Sequence, residues 1–441
     1  MARSAGLIRI IMAGALWSGL LAGPLAAQDY GAVAPVDSVT LEQAVERALQ
    51  FSPQVVQART SLSTADFATK QAYASMLPSV SFSSGASLSS SDRFDQQTGL
   101  RVSGQSNNYN AGLSSSMDLF AGGRNLAAVR SARAGAEAAD ATVVTQQFSV
   151  TLSAKQAFFA VLRARDLIRL NEEQIDQAEQ QLEAAERRMQ VGGATRSDVL
   201  RARLQLSNAR QALLQSTVQH RNAMYSLGQT VGAAGPVTAM AASPIEPEPL
   251  ALSEEAMREV VLSQAPTVVS ALADVRVAEA GIAQARAQYF PSIGISGGYN
   301  WSNREFGLEQ GLTSWSTRLN LSLPLFNRLQ REGTAQRAGA QLTLAEARAA
   351  DAARQAVAQF ESLLAGLRLA EEQLALLNES VEVAREDYRV QQERYQVGAA
   401  TILELVSSQI ALSQAENALI NARYDYQIAR AELESLVGRE L

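Results

Sequence analysis

The chain contains no cysteine and a single histidine, His220, in 441 residues. The absence of cysteine excludes disulfide bridges, thiolate metal sites and an N-terminal lipid carried on cysteine. The sequence also has no phosphate-binding glycine loop and no nucleophile motif. We therefore expect neither an enzyme nor a protein with a bound cofactor or metal.

Aromatic residues and prolines are also scarce. Aromatics make up 6% of the chain and prolines number 11, whereas alanine, glutamine and arginine are frequent. This composition is typical of long helices that pack closely. The 38 basic residues are outnumbered by 44 acidic residues, and this balance excludes an extended basic face for nucleic acid.

Long apolar runs are confined to the N-terminus. Arg3 and Arg9 precede an apolar run from Ile10 to Leu21, and small residues follow it up to Ala27. This order is that of a secretory signal peptide, which we predict over residues 1–27. No later run approaches the roughly 18–20 apolar residues that a membrane-spanning helix needs, so contact with a membrane would require β-strands.

The chain does have an internal duplication. The stretch RMQVGGATRSDVLRARLQLSNA at 188–209 returns as RYQVGAATILELVSSQIALSQA at 394–415, an offset of 206 residues. Pro78 corresponds to Pro291 at an offset of 213, so the first copy holds seven additional residues between Pro78 and Phe120. A tandem duplication of this length predicts two structural repeats.

Each repeat has the same predicted order of elements: a helix, a β-hairpin, a very long helix and a returning helix. Proline ends the first helix, and the period of apolar residues then changes from about 3.6 to 2, which indicates strands. The first repeat, 28–232, has a helix at 40–77, a hairpin at 79–119 and helices at 124–191 and 196–230. The second repeat, 253–441, has a helix at 253–290, a hairpin at 292–326 and helices at 328–397 and 401–437. A connector rich in proline and glycine, at 233–252, is expected to be irregular.

The long helices run for about 70 residues without proline, and their apolar positions recur every three or four residues. This heptad pattern predicts supercoiling against partner helices, and each helix spans roughly 100 Å at about 1.5 Å per residue. The strands alternate over about ten residues, the length of a tilted membrane strand. Polar loops at 89–109 and 303–312 are expected to join them.

Four strands from one chain cannot close a barrel. An open sheet edge in lipid would leave backbone groups without hydrogen bonds, so several chains must share one barrel if the strands lie in a membrane. Eight strands would leave an interior filled by side chains, whereas twelve or more leave a lumen. The periodicity alone does not choose between these numbers.

The most specific motif, VG-x-x-T, forms the turn after each long helix. It occurs as Val191-Gly192-Gly193-Ala194-Thr195 and Val397-Gly398-Ala399-Ala400-Thr401, each followed three residues later by an acid. With the junctions DLFAGGR at 118–124 and LPLFNR at 323–328, the mature chain resembles the TolC family of outer-membrane channel proteins.

The resemblance implies a mainly α fold with a β-barrel portion. Three copies would share a 12-stranded barrel in the outer membrane of a Gram-negative bacterium, and a coiled-coil helical tunnel would extend into the periplasm. The resemblance also implies that the tunnel tip docks to a periplasmic adaptor and an inner-membrane transporter, as the exit duct of an efflux or type I secretion system.

The two tip turns are the candidate docking and gating region. Gly192 and Gly398 are expected to end the long helices in a left-handed conformation. The candidate docking residues in the turns are Val191, Gly192, Thr195, Val397, Gly398 and Thr401.

Asp198 and Glu404 have two interpretations that the sequence leaves open. As capping boxes with the preceding threonines they would stabilise helix starts by about 1 kcal/mol. In a trimer, six carboxylates round one narrow tip would instead favour cations and raise one another's pKa. The resemblance implies an acidic ring at the periplasmic entrance, although the family's second acid falls on Ser407 here.

Tyr395 and Arg196 are the further gate candidates. Tyr395 matches a family tyrosine that helps to keep the entrance shut, and it is equally well explained as a packed seam residue. The arginine that often follows the glycine motif in the family is Ala400 here, so Arg196 is the candidate to pair with an acid. The resemblance then predicts iris-like opening by outward movement of residues 328–437.

The alternative function comes from another class, a periplasmic coiled-coil adaptor or scaffold without a pore. The strands discriminate between the two, because an adaptor has no need of alternating hairpins at 79–119 and 292–326.

Overall fold

The structure, a computed structural model, describes residues 37–94, 99, 101–240, 253–307 and 311–439. The predicted signal peptide, 1–27, and residues 241–252 of the connector lie outside the described residues. The chain is mostly helical. The first repeat contains β1 (Asp37–Val39), α1 (Leu41–Phe51), α2 (Pro53–Ala74), β2 (Ser79–Phe94), β3 (Arg101–Ala121), α3 (Arg124–Gln190) and α4 (Arg196–Thr230). The second half contains β4 (Val237–Ala239), α5 (Glu254–Gln264), α6 (Pro266–Arg286), β5 (Ser292–Asn303), β6 (Leu312–Ser322), α7 (Gln330–Gln396) and α8 (Ile402–Val437).

A proline breaks the first helix of each repeat. Pro53 and Pro266 each occupy the first turn of the second segment, where the missing amide hydrogen has no helical partner to lose. The residues before them, Ser52 and Ala265, have ψ angles of 124° and 130°. Extended backbone at these positions is what proline imposes on its predecessor.

Two helices of 67 residues, α3 and α7, form the frame of the helical layer. Both α2 and α4 pack along α3, α8 packs along α7, and α6 packs against α3 and α7. Because α8 packs against α3 far more extensively than α7 does, the four helices lie in the order α4, α3, α8, α7, although side chains of α3 and α7 still reach each other near the tip. The outer helices of this layer are therefore α4 from the first repeat and α7 from the second.

Polar contacts between α3 and α8 join the two repeats. The Lys155 ammonium pairs with Glu434 at 2.5 Å, and both side chains are largely buried. The Tyr424 hydroxyl donates to Asp166 at 2.7 Å, and burial, together with this carboxylate, raises the pKa of Tyr424. Removing one member of a buried pair would leave the other without compensation, so these contacts hold the repeats in one relative position.

The four long strands form one antiparallel sheet in the order β2-β3-β5-β6. Its register aligns apolar side chains across all four strands, in the row Phe82, Leu113, Tyr299 and Trp315. The alternate positions carry mostly serine, glycine and asparagine, as in the row Ser81, Ser114, Gly298 and Ser316. The sheet therefore has an apolar face and a polar face, and β2 and β6 are its unpaired edges.

The first hairpin corrects the expected loop at 89–109. The ladder continues from Ser89 opposite Ser106 to Phe94 opposite Arg101, so β2 has 16 residues and β3 has 21. Most residues in this part of the sequence are serine or another polar residue, and backbone pairing does not require apolar alternation, so the period of 2 is not visible there. The additional residues of the first repeat lengthen its strands rather than a loop.

The second hairpin is shorter than expected. Strand β6 ends at Ser322 rather than at 326, because Pro324 has no amide hydrogen to donate to a ladder. The following helix begins at Gln330 rather than at 328, because Arg328 and Leu329 have positive φ angles of 56° and 63°.

A second, two-stranded sheet was not expected from the sequence. Strand β4 pairs in parallel with β1, so the expectation of an irregular connector over 233–252 is wrong for Val237–Ala239. Val39 and Val237 are fully buried beside Leu227 and Val231. Strands of three residues are too short to show a period, so the sequence pattern gave no signal for them.

The sequence predicted no later segment apolar enough to cross a membrane, but one helical run has the length and composition for it. By length and composition alone, the run Glu254–Tyr289 is apolar enough to span a membrane. The run is broken at Ala265, and α6 packs against both long helices. This packing buries part of its apolar surface within the chain.

Candidate gate and docking site at the helical tip

Each long helix ends in a tight turn built on a left-handed glycine. The φ angles of Gly192 and Gly398 are 78° and 81°. The following amides, of Gly193 and Ala399, donate to the carbonyls five residues earlier at 2.8 and 2.7 Å. These hydrogen bonds satisfy carbonyls that a helix end would otherwise leave unpaired.

Complete capping boxes begin both returning helices. The Asp198 carboxylate accepts from the Thr195 amide at 2.7 Å, and the Glu404 carboxylate accepts from the Thr401 amide at 2.6 Å. The threonine hydroxyls accept in turn from the amides of the two acids, both at 3.3 Å. These backbone hydrogen bonds lower the pKa of Asp198 and of Glu404. Within one chain, capping therefore favours the ionised form of both acids.

The side chains just before the two turns differ. Met189 is 40% exposed, whereas Tyr395, its counterpart, is 5% exposed and packs with Ile402 and Leu405. Burial raises the pKa of the Tyr395 phenol. The neighbouring Arg188 guanidinium acts against this rise, and the Tyr395 hydroxyl makes no hydrogen bond of ordinary geometry with a described atom.

Arg188 connects the two turns, and the sequence analysis did not single it out. Its guanidinium lies over the Tyr395 ring, 4.4 Å from the ring centroid. It also donates to the Tyr395 carbonyl and, at 3.3 Å, to the Gly193 carbonyl of its own turn. The counterpart, Arg394, donates to the Ala399 carbonyl of its own turn at 3.2 Å.

The sequence did contain a signal for these arginines, because both begin the repeated motif, as RMQVG and RYQVG. Their turn-bracing hydrogen bonds are common to the two repeats. The contact with an aromatic ring belongs to Arg188, since only the second repeat has a tyrosine before its turn.

A second contact links α3 and α7 one heptad above Arg188 and Tyr395. Gln181 donates through Nε2 to the Tyr388 hydroxyl at 3.1 Å, and both side chains are buried. The long helices of the two repeats are thus joined at two successive heptad levels. Separating α7 and α8 from α3 at the tip requires both contacts to break.

The remaining tip candidates lie on the surface. Val191 and Val397 are 83% and 80% exposed, so each turn presents an apolar side chain at the end of the helical layer. Arg196 is exposed and forms no ion pair with a described residue of its own chain. Its pairing with an acid of a neighbouring chain stays a prediction.

Within one chain the tip acids are not grouped as metal ligands. In the part of the chain that the structure describes, no three histidine, aspartate or glutamate side chains are grouped so that they could hold a metal ion. Asp198 and Glu404 instead use their carboxylate oxygens in the capping bonds.

Known proteins match the chain over nearly its whole length. The family model described as outer membrane efflux protein matches residues 44–233 and 258–439. The pyoverdine export outer membrane protein OpmQ of Pseudomonas aeruginosa is 26% identical over 404 residues, which cover 90% of this chain and 83% of OpmQ. The outer membrane protein TolC of Vibrio cholerae is 22% identical over 417 residues, which cover 90% of each chain.

Solved structures share the fold. The crystal structure of the channel protein CusC has a TM-score of 0.78 at 18% identity, covering 90% of this chain and 92% of that chain. The matches confirm the resemblance to TolC-family channels, the location in the outer membrane of a Gram-negative bacterium and the absence of an enzymatic function. They do not support an adaptor without a pore. The chain belongs to the outer membrane efflux protein family.

Proposed function

We propose that three copies of this chain form an exit duct in which a shared 12-stranded barrel crosses the outer membrane and a helical tunnel extends into the periplasm. The duct passively conducts substrates that a periplasmic adaptor and an inner-membrane transporter deliver to it. One observation carries the proposal: the sheet and the helical layer both end in unpaired edges, and in each layer the two edges come from different repeats.

The sheet supports a shared barrel because the outer edges of β2 and β6 pair with no strand among the described residues. In lipid, an unpaired edge leaves backbone amides and carbonyls without hydrogen bonds. Pairing β6 of one copy with β2 of the next removes every edge when the ring closes. Four strands per copy give twelve strands in a trimer, which leaves a lumen lined by the polar face.

The outer helices of the tunnel layer carry matching apolar stripes. On α4, five exposed apolar residues follow the side opposite α3: Leu200, Leu204, Leu214, Val218 and Tyr225. On α7, four exposed residues recur at intervals of seven on the side opposite α8: Leu369, Leu376, Val383 and Val390. Apolar side chains at this spacing are typical of a helix seam that lacks its partner.

These two stripes suit one another in a ring. Helix α4 runs away from the tip and α7 runs toward it, so α4 of one copy can pack antiparallel along α7 of the next. Different surfaces meet in such an interface, and interfaces of that kind close into rings when the rotation between copies allows it. The helical layer therefore closes in the same sense as the sheet, with the first repeat of one copy against the second repeat of the next.

The exposed tip turns are the proposed docking surface for the adaptor. Val191 and Val397 present apolar side chains there, on turns that capping boxes and backbone hydrogen bonds hold. The proposed gate lies just above, where Arg188 contacts Tyr395 and Gln181 contacts Tyr388. Iris-like opening would move α7 and α8 away from α3 and break these two contacts.

The assembly is tested by placing a charge in the α7 stripe. We expect Leu376→Glu to abolish the trimer, because the glutamate would be buried in an apolar seam without a partner. Ala375→Glu is the matched control: Ala375 is exposed and lies about 100° round the helix from Leu376. The readout is the mass of the detergent-solubilised oligomer, measured before and after heating.

Wild type and Ala375→Glu should fractionate with the outer membrane as heat-sensitive trimers and give conductance steps in planar bilayers. A wild-type chain that is a monomer in mild detergent, or a Leu376→Glu variant that remains trimeric, would refute the proposed assembly.

A further inference from the structure

The polar face of the sheet carries an unpaired positive charge near its periplasmic end. Arg318 lies on β6 four residues before the strand ends, opposite Ser296 of β5, and the row continues through Ser116 to Ser79. Its side chain is exposed. It forms no ion pair with any described residue of its own chain.

The neighbours of Arg318 on this face are neutral. Ser316 and Asn320 precede and follow it along the strand. The nearest acid on the polar face is Asp118 in the adjacent row, opposite Gly294, and its carboxylate is already paired with Arg124 at 3.0 Å.

Closing the proposed ring does not add a counter-charge. Strand β6 would then lie beside β2 of the next copy, whose polar face carries only serine and glycine from Ser79 to Ser89. The counterpart of Arg318 in the first repeat is Gly112, so a trimer has three such arginines rather than six.

We propose that the three Arg318 guanidinium groups form a positive ring in the barrel lumen that attracts and binds oxyanion groups of passing substrates, namely phosphate, sulfate or carboxylate. The inference rests on the trimeric barrel of the proposed function. A guanidinium presents a fork of N–H donors that matches two oxygens of such a group. An arginine on the lipid-facing side of a barrel strand would be strongly unfavourable, which agrees with its position on the polar face.

The ring would place three positive charges inside the barrel. A substrate with oxyanion groups would be held near the barrel, whereas a cationic substrate would meet an electrostatic barrier there. Arg318 is thus a candidate selectivity-determining residue of the outer half of the duct.

The absence of cysteine allows a direct test in intact outer membranes. Ser316→Cys places a single thiol on the polar face, about 7 Å along the strand from Arg318, and Thr317→Cys places one on the apolar face. Membrane-impermeant methanethiosulfonate reagents of negative and positive charge are added from outside at low ionic strength. If the barrel is as proposed, Ser316→Cys reacts and Thr317→Cys does not.

The charge of the ring is measured as the ratio of the rates of the anionic and cationic reagents at Ser316→Cys. Any effect of Arg318 on the ionisation of the thiol cancels in this ratio, because both reagents attack the same thiolate. We expect Arg318→Gln to lower the ratio about tenfold at an ionic strength near 0.01 M, and the difference to disappear near 1 M salt. Asn320→Gln, a neutral change on the same face, should leave the ratio unaltered.

The outcomes separate the two proposals. Equal reactivity of Ser316→Cys and Thr317→Cys would mean that the sheet does not form the proposed barrel. A reactive Ser316→Cys whose rate ratio is the same with Arg318 and with Arg318→Gln would overturn the ring and leave the barrel intact. A drop in the ratio with Asn320→Gln as large as that with Arg318→Gln would assign the effect to packing and also overturn the ring.

Discussion

The two repeats share one backbone but occupy it with different residues, most clearly where strand turns into long helix. Gly122 and Gly123 have φ angles of 62° and 82°, and their counterparts Arg328 and Leu329 have φ angles of 56° and 63°. A left-handed conformation costs a non-glycine residue roughly 1–2 kcal/mol. The second repeat therefore keeps the inherited turn without the residue type that favours it.

Crowding explains why the first repeat retains glycine. A Cβ at Gly122 would overlap the Ala287 carbonyl oxygen and lie 2.8 Å from the Phe290 Cβ. The second junction has space instead, because Arg328 and Leu329 are exposed.

The second junction is held by a neighbouring arginine. Arg331 donates to the Pro324 carbonyl at 3.0 Å, pairs with Glu332 at 2.7 Å and lies over the Tyr289 ring at 4.9 Å. These contacts offset the strain in the turn. The two repeats thus keep the same backbone turn for different reasons. Close packing requires it at Gly122, whereas the contacts of Arg331 stabilise it in the second repeat.

Exchanging the first residue of the two junctions should produce the largest difference between the repeats. Gly122→Arg, which introduces the residue of the second repeat, should destabilise the trimer by about 3 kcal/mol or more, because steric overlap adds to the left-handed strain. Arg328→Gly should be neutral or stabilise by about 1 kcal/mol. Thermal unfolding of the detergent-solubilised trimers measures both changes, and similar losses of stability in the two variants would disprove the explanation from crowding.

At the tip, the two repeats can be compared by removing the equivalent arginines, Arg188 and Arg394, one at a time. Arg188→Ala should loosen the closed tip by about 2 kcal/mol, because it removes a cation–π contact and charged hydrogen bonds to two carbonyls. Conductance in planar bilayers should then rise severalfold. Arg394→Ala is the matched control, since Arg394 braces its own turn, and its conductance should remain close to that of wild type.

Tyr395 variants identify which part of the tyrosine matters. Tyr395→Ala should raise conductance as Arg188→Ala does, whereas Tyr395→Phe keeps the ring that Arg188 contacts. A Tyr395→Phe channel as open as Tyr395→Ala would show that the hydroxyl holds the gate through a neighbouring chain. If the Arg188→Ala and Arg394→Ala channels had equal conductance, Arg188 would have no specific role in the gate.

Much of the fold could be predicted from the sequence because its signals are long. A run of about 70 residues without proline and with heptad spacing indicates one kind of element, and the duplication repeats each signal. The short β4 and the polar ends of β2 and β3 could not be predicted, since three residues show no period and serine on both faces hides alternation. Alternation in the sequence reveals a strand only where one face of that strand is apolar.

The sequence predicted those features of the candidate site that depend on residues a few positions apart. The capping boxes of Asp198 and Glu404 follow from threonine and acid three residues apart. The contact of Arg188 with Tyr395 could not be predicted, because it joins residues 207 positions apart across α3 and α7. Such a contact depends on how the repeats pack, and the side chains of one repeat do not determine it.

Exchanging the second residues of the two junctions, Gly123 and Leu329, should change the stability less, because no steric overlap is involved. Leu329→Gly should stabilise the trimer by about 1 kcal/mol by removing left-handed strain, and Gly123→Leu should destabilise it by about 1–2 kcal/mol. No described atom lies within 4 Å of a Cβ added at Gly123, so strain alone acts there. Thermal unfolding is again the measurement, and opposite signs are required of the two variants.

The smallest expected effect concerns the tip acids and distinguishes their two interpretations. Capping lowers the pKa of Asp198 from 3.8 and that of Glu404 from 4.5. A lowered pKa in the folded state means that the stabilisation is complete above these values and is lost as pH falls below them. Wild type should then be slightly more stable than Asp198→Asn with Glu404→Gln above about pH 5, and the margin should shrink as pH falls through the lowered pKa values of the folded state. If repulsion within a ring of six carboxylates dominates, the sign reverses: the double variant is the more stable at neutral pH, and wild type gains stability as the acids are protonated. Thermal unfolding of both trimers across this pH range decides whether the acids, which the duplication placed at equivalent positions, act mainly on their own helices or on one another.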